Sequence, residues 1–127
     1  MGQNWEYFTY DELKCKCCDE APMKDDFMHM LIDIREEFDR PMIITSAFRC
    51  ASYNSKIGGA KDSPHLHGKA VDVAVNYKDA YDLIGIALQH GMTGIGIKQK
   101  GSPSGRFIHL DNMMASENRP RPTVWRY

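Results

Sequence analysis

The chain has 127 residues, 43% of them hydrophobic and 26% charged, with a formal net charge of −1. That length and balance fit one soluble globular domain that buries its own core, and the near-neutral charge speaks against nucleic acid or an anionic membrane as partner. No apolar run reaches the length of a membrane span, and the opening "MGQNWEYFTY" lacks the basic segment and apolar stretch of a secretory leader. The expectation is a monomer made in the cytoplasm.

In chain order, "TYDEL" sets Thr9 three residues before Glu12, the capping-box pattern that opens a short helix. "KCKCCDE" follows, with Cys15, Cys17 and Cys18; Cys50 is the fourth cysteine. With Cys17 inside it and no second pair downstream, this cluster matches no standard zinc knuckle of the C-x-x-C type. Reduced, partly buried thiols are the expectation for a cytosol-made protein, and a second metal site or a disulfide to Cys50 are the alternatives that spacing leaves open. In "KDDFMHMLIDIREEFDR", Phe27, Leu31, Ile34 and Phe38 recur at intervals of four, three and four. That is one apolar helix face, ended by the Arg40-Pro41 step. "MIITS" reads as a short buried strand, and "CASYNSKIGG" as one or two helical turns closed by Gly58 and Gly59.

The strand "KAVDVAV" alternates, with Val71, Val73 and Val75 on one side and Ala70, Asp72 and Ala74 on the other. A second helix, about Tyr77 to His90, turns Leu83, Ile84, Ala87 and Leu88 inward and stops at Gly91. "TGIGI" and "RFIHLD" are two more strands, joined by the turn-rich "KQKGSPSG". In the second of them Ile108 and Leu110 share a face, and Phe107, His109 and Asp111 share the other. The tail "ENRPRPTVWRY" is broken by prolines and is expected to lie over the surface, anchored by Trp125 and Tyr127. Together these elements predict an α+β fold. It is a single domain over residues 1–127, with a small, mostly antiparallel sheet packed against helices and a tail from about 115 to 127 wrapping the surface.

Asp72 and His109 interrupt their strands on the faces opposite the aliphatic residues, and "SPHLHGKAVDV" brings His65 and His67 in the loop just before Asp72. Two histidines and one carboxylate, with a fourth position open, form the ligand set of a catalytic zinc site; a structural zinc is usually closed by four protein ligands. Small Ala70 and Ala74 leave space beside Asp72, and Gly68 suits the tight turn between loop and strand. From the residues alone, either ring of "HLH" competes for the metal. A strand aspartate that holds a neighbouring backbone or arginine, and a satisfied core histidine, are the plainer readings of Asp72 and His109. No H-E-x-x-H helix, G-x-S-x-G elbow or phosphate-binding loop offers another catalytic centre.

"SPHLHGKAVDV" resembles the Ser-x-His-x-x-Gly-x-Ala-x-Asp signature of the zinc D-Ala-D-Ala carboxypeptidase, VanX and L-alanyl-D-glutamate endopeptidase family, filled here by Ser63, His65, Gly68, Ala70 and Asp72. Upstream, "SAFRC" resembles the family's Ser-x-x-Arg element; downstream, "GRFIHLD" resembles the strand with the last metal histidine. The opening "FTYDELKCKC" and closing "RPTVWRY" are similar to members found in phages and prophages. The resemblance implies zinc held by His65, Asp72 and His109, and it favours His65 because His67 sits at a variable position. It implies that Arg49 grips a substrate carboxylate or carbonyl, a task suited to a rigid, always-charged fork of donors, with Ser63 and His67 also on the substrate side.

One departure concerns the proton carrier. Several members place Glu, Asp or His three residues before the final metal histidine, where this chain has Arg106, which cannot accept a proton. Strand alternation points Asp111 to the same side as His109, so Asp111 is the expected general base, with His67 a second candidate. The activity implied is an endolysin-like metallopeptidase cutting the peptide stems of bacterial peptidoglycan at bonds involving D-amino acids. It would act on the wall after release during phage or prophage lysis, or as a virion component. A D-Ala-D-Ala carboxypeptidase or dipeptidase, and a non-catalytic murein- or virion-binding module, are the alternatives.

Overall fold

The Thr9 hydroxyl accepts from the Glu12 N–H while the Glu12 carboxylate accepts from the Thr9 N–H, and this reciprocal cap opens α1 (Tyr10–Leu13) as its sequence pattern requires. In a computed structural model of the chain, residues 3–127 are described; the first two residues of the opening segment that was read for a leader lie outside them. Helix α2 (Asp25–Phe38) buries Phe27, Met28, Leu31, Ile34 and Phe38 along one stripe. Asp25 and Asp26 occupy its first turn and Arg35 its last, each complementing the helix dipole. It stops one residue before the expected Arg40-Pro41 step, because Asp39 turns into the left-handed region at φ 53°. Helix α3 (Ala51–Lys56) is short, and α4 (Tyr77–Gln89) buries Ala80, Leu83 and Ala87. Leu88, read as part of that inner face, is 58% exposed: it falls one position past the buried stripe.

Five strands form one sheet in the order β1-β2-β4-β3-β5, comprising β1 (Ile43–Ser46), β2 (Ala70–Ala74), β3 (Gly94–Lys98), β4 (Phe107–Asp111) and β5 (Thr123–Arg126). All pairings are antiparallel except β3 with β5. At the edge, β1 is half-buried rather than buried, with Ile44 inside and Ile43 outside. On the sheet's inner face Val71, Val73, Ile95, Ile108 and Leu110 join the α2 and α4 stripes in one core, each large aliphatic side chain contributing roughly 1.5–3 kcal/mol by leaving water.

The tail differs from its expected course. Instead of only wrapping the surface, Thr123–Arg126 pairs in parallel with β3, from Gly94↔Thr123 to Ile97↔Arg126. Pro120 and Pro122 precede this strand and so remove no donor from its ladder. Their density in the tail hides a four-residue alternation in which Thr123 and Trp125 are half-buried.

Candidate metal centre

Residues 63–68 form the turn that delivers the first histidine. The Ser63 hydroxyl accepts from the His65 N–H at 3.2 Å and caps a 3-10 turn over Pro64–His67. Gly68 closes that turn at φ 67°, where an added Cβ would stand 2.2 Å from the Pro22 carbonyl oxygen, so only glycine fits. His65 is buried as a result, and His67 points outward. The other two members come from the sheet, where antiparallel pairing sets Asp72 of β2 directly opposite His109 of β4.

Three donor atoms converge there. His65 Nε2 and His109 Nδ1 lie 3.2 and 3.1 Å from Asp72 Oδ1, close to the ~3.3 Å between ligand atoms of a tetrahedral zinc site with bonds near 2.0 Å. The far side of each ring fixes its tautomer. His65 Nδ1 is 2.6 Å from the Ala47 carbonyl oxygen, which only accepts, so Nδ1 carries the proton. His109 Nε2 is 2.7 Å from Asp111 Oδ2 and donates to it. Both rings in their neutral forms therefore turn an unprotonated nitrogen toward the same carboxylate oxygen, an arrangement of acceptors that a cation satisfies.

The electrostatics separate the two rings. Burial drives His65 toward the neutral form. Burial also pushes Asp72 up, but His109 and His65, which donate to it when protonated, outweigh this and hold it well below the usual carboxylate range. Burial acts on His109 as it does on His65, yet the flanking carboxylates, Asp111 foremost, overcome it and favour imidazolium. One proton on His109 would meet Asp72 from one side only; a divalent ion among the three donors meets all of them.

Asp111, expected as the general base, is placed behind His109 instead. Its Oδ2 accepts from His109 Nε2 and from Arg121 Nη2 at 2.9 Å, and its Oδ1 from Arg121 Nε at 3.0 Å and the Met113 N–H at 3.2 Å. Every lone-pair position is taken. Burial raises this carboxyl, but the bonds from His109 and Arg121 prevail and hold it down at about 2. Such a group orients and polarises a ligand histidine; it is a poor acceptor for a reacting proton. Gly94, directly opposite on β3, makes room for it, since a Cβ there would meet the Asp111 carboxylate at 2.3–2.5 Å.

A cavity of about 940 Å³ opens over the centre, lined by Arg49, Ser63, His65, Asp72 and His109 and walled by Phe107, Arg119, Arg121, Trp125 and Tyr127. Arg49 is fixed in it: Nε donates to Ser46 Oγ, Nη1 to Asn54 Oδ1, and Nη2 lies 3.5 Å from Asp72 Oδ2. Ser63 lines the cavity, but its hydroxyl is engaged in positioning His65. His67, expected on the substrate side, is not among the lining residues; its Nε2 faces Asp62 at 2.8 Å. Arg106 turns away to the Gly101 carbonyl and the Tyr77 ring. The sequence reading missed Arg121 and the aromatic wall, in which Trp125 sits 5.2 Å from His109 between ring centroids. Their only trace was the tail's closing run of aromatic and basic residues.

A family model described as Peptidase M15 matches residues 6–111. Over 57 residues the chain is 35% identical to the zinc D-Ala-D-Ala carboxypeptidase of Streptomyces albus G, a match covering 45% of this chain and 22% of that protein.

Proposed function

The chain belongs to the peptidase M15 family, and from that premise we propose that it is a zinc metallopeptidase acting on the peptide stems of bacterial peptidoglycan. The finer reading is an endolysin-like endopeptidase cutting bonds that involve D-amino acids, of phage or prophage origin. The observation that carries the proposal is the convergence of two imidazole nitrogens, His65 Nε2 and His109 Nδ1, on one carboxylate oxygen of Asp72 at the floor of a large cavity.

His65, Asp72 and His109 are the side chains that would hold the zinc ion. A zinc ion in such a setting supplies Lewis-acid polarisation of a peptide carbonyl and a water of lowered pKa. The remaining work falls to the chain. Asp111 accepts from His109 Nε2 and keeps the opposite nitrogen aimed at the centre. Arg121 holds Asp111 in that position through two bonds. Arg49, with three of its groups anchored on Ser46, Asn54 and Asp72, keeps the rest of its five donors for a substrate carboxylate or carbonyl oxygen. Trp125 and Tyr127 form an aromatic wall on one side of the cavity. A second reading, removal of a terminal D-alanine, is favoured by the carboxypeptidase activity for which the Streptomyces relative is named.

Digestion of purified sacculi by the zinc-loaded chain, with mass spectrometry of the fragments, tests this. The expected result is released peptide with new termini, abolished in His65→Ala. Cleavage within the stems supports the endopeptidase, and release of D-alanine alone supports the second reading. A folded, zinc-loaded chain that binds sacculi and releases nothing would overturn the enzyme in favour of a binding module.

A further inference from the structure

A second cluster of metal-binding side chains lies outside the cavity lining. The thiols of Cys15, Cys18 and Cys50 come within 4.8 Å of one another, and all four cysteines are free. We propose that Cys15, Cys18 and Cys50 hold a structural zinc ion as thiolate ligands, and that Cys17, which stands outside their convergence but in the same turn as Cys18, closes the site as the fourth.

The spacing of sulfurs fits. Cys15 Sγ and Cys50 Sγ are 3.6 Å apart, near the ~3.8 Å edge of a tetrahedron with Zn–S bonds of about 2.3 Å. A disulfide would join two of the sulfurs and leave the convergence of the others without a role. The backbone is arranged for thiolates as well. The N–H groups of Cys17 and Cys50 point at Cys15 Sγ at 3.5 and 3.4 Å, and the Tyr53 N–H points at Cys50 Sγ at 3.4 Å. Donors aimed at sulfur favour the charged form, which is the form that binds metal.

Binding is an exchange of protons for metal: each thiol releases its proton to solvent as a zinc–sulfur bond forms, with no change of oxidation state. The ion would tie two distant parts of the chain together. Cys15 to Cys18 follow α1, while Cys50 caps α3 and directly follows Arg49, the cavity arginine. The Phe48 N–H already donates to the Leu13 carbonyl at 3.2 Å across the same junction, so the cluster would act as a clamp on the segment that presents Arg49.

Cobalt(II) substitution and metal analysis of the full chain, purified under reducing conditions, test this. The expected wild-type result is about two zinc ions per chain and, with cobalt, an intense thiolate-to-metal charge-transfer band in the near ultraviolet. His65→Ala should keep that band and about one ion, whereas Cys18→Ser, at an exposed position, should lose the band. If Cys18→Ser fails to fold, thiol counting on the wild type decides: four thiols protected until a chelator is added support the site. A missing charge-transfer band, four freely reactive thiols, or a mass lower by two hydrogens without reductant would each overturn it. Because the band requires sulfur, its absence bears on the cysteines alone, and failure to digest sacculi bears on the histidine centre alone.

Discussion

On one face of the β2–β4–β3 ladder Val71, Val73, Ile95, Ile108 and Leu110 pack against α2 and α4; on the other, one residue along, Asp72, His109 and Asp111 lie almost as deeply buried. The first face is held by dispersion and loss of water contact, which tolerate rearrangement. The second buries ionisable groups, which is stable only when each is met by a partner of fixed geometry. Here the partners run in a chain, from Arg121 to Asp111, to His109, to Asp72, to His65, and finally to the Ala47 carbonyl. The same alternation thus produces a face that supports the fold and a face whose arrangement is set by chemistry.

That contrast breaks most visibly if the core is cut. Phe27→Ala should lower the unfolding free energy by about 3–5 kcal/mol in urea titrations, while the fraction still folded binds zinc at the wild-type stoichiometry. Parallel loss of metal would show that the two faces are not separable.

Arg121→Ala should cost about 3 kcal/mol by leaving the buried Asp111 charge half-paired. It should also change acid stability. Asp111 titrates lower in the fold, at about 2, than the ~3.9 of an unfolded chain. Its contribution is therefore complete above about pH 4 and lost as pH falls toward 2. Without Arg121 the folded value should rise toward the unfolded one, so that the stability lost between about pH 4 and 2 shrinks, measured by urea unfolding across an acid series. An unchanged loss over that window would contradict the pairing.

Asp111→Asn leaves all three ligands in place and should weaken zinc binding by about 10–100-fold, read by competition with a chelating dye. Unchanged affinity would remove Asp111 from the chain of partners. Smallest of all, His67→Ala should shift stability by less than about 0.5 kcal/mol and leave zinc affinity as it was; a loss of zinc would return His67 to the ligand set.

The two faces were legible to different depths. "KAVDVAV" and "RFIHLD" assign each side chain to its face, because alternation is a property of the strand alone. Which residues meet across strands is not. Asp72 opposite His109 depends on pairing between segments 37 positions apart, and the choice of His65 over His67 rests on a turn that buries one and exposes the other. Asp111 shows the limit most clearly. Alternation placed it correctly beside His109, but the guanidinium that occupies it comes from a proline-broken tail, and the space for it from a strand glycine, Gly94. Neither shares a local pattern with it.

Anomalous scattering at the zinc edge from crystals of the zinc-soaked protein tests the central claim most directly. The account predicts a peak within bonding distance of His65 Nε2, Asp72 Oδ1 and His109 Nδ1. Density showing those atoms bridged only by protons in a fully soaked crystal, with no peak among them, would contradict it.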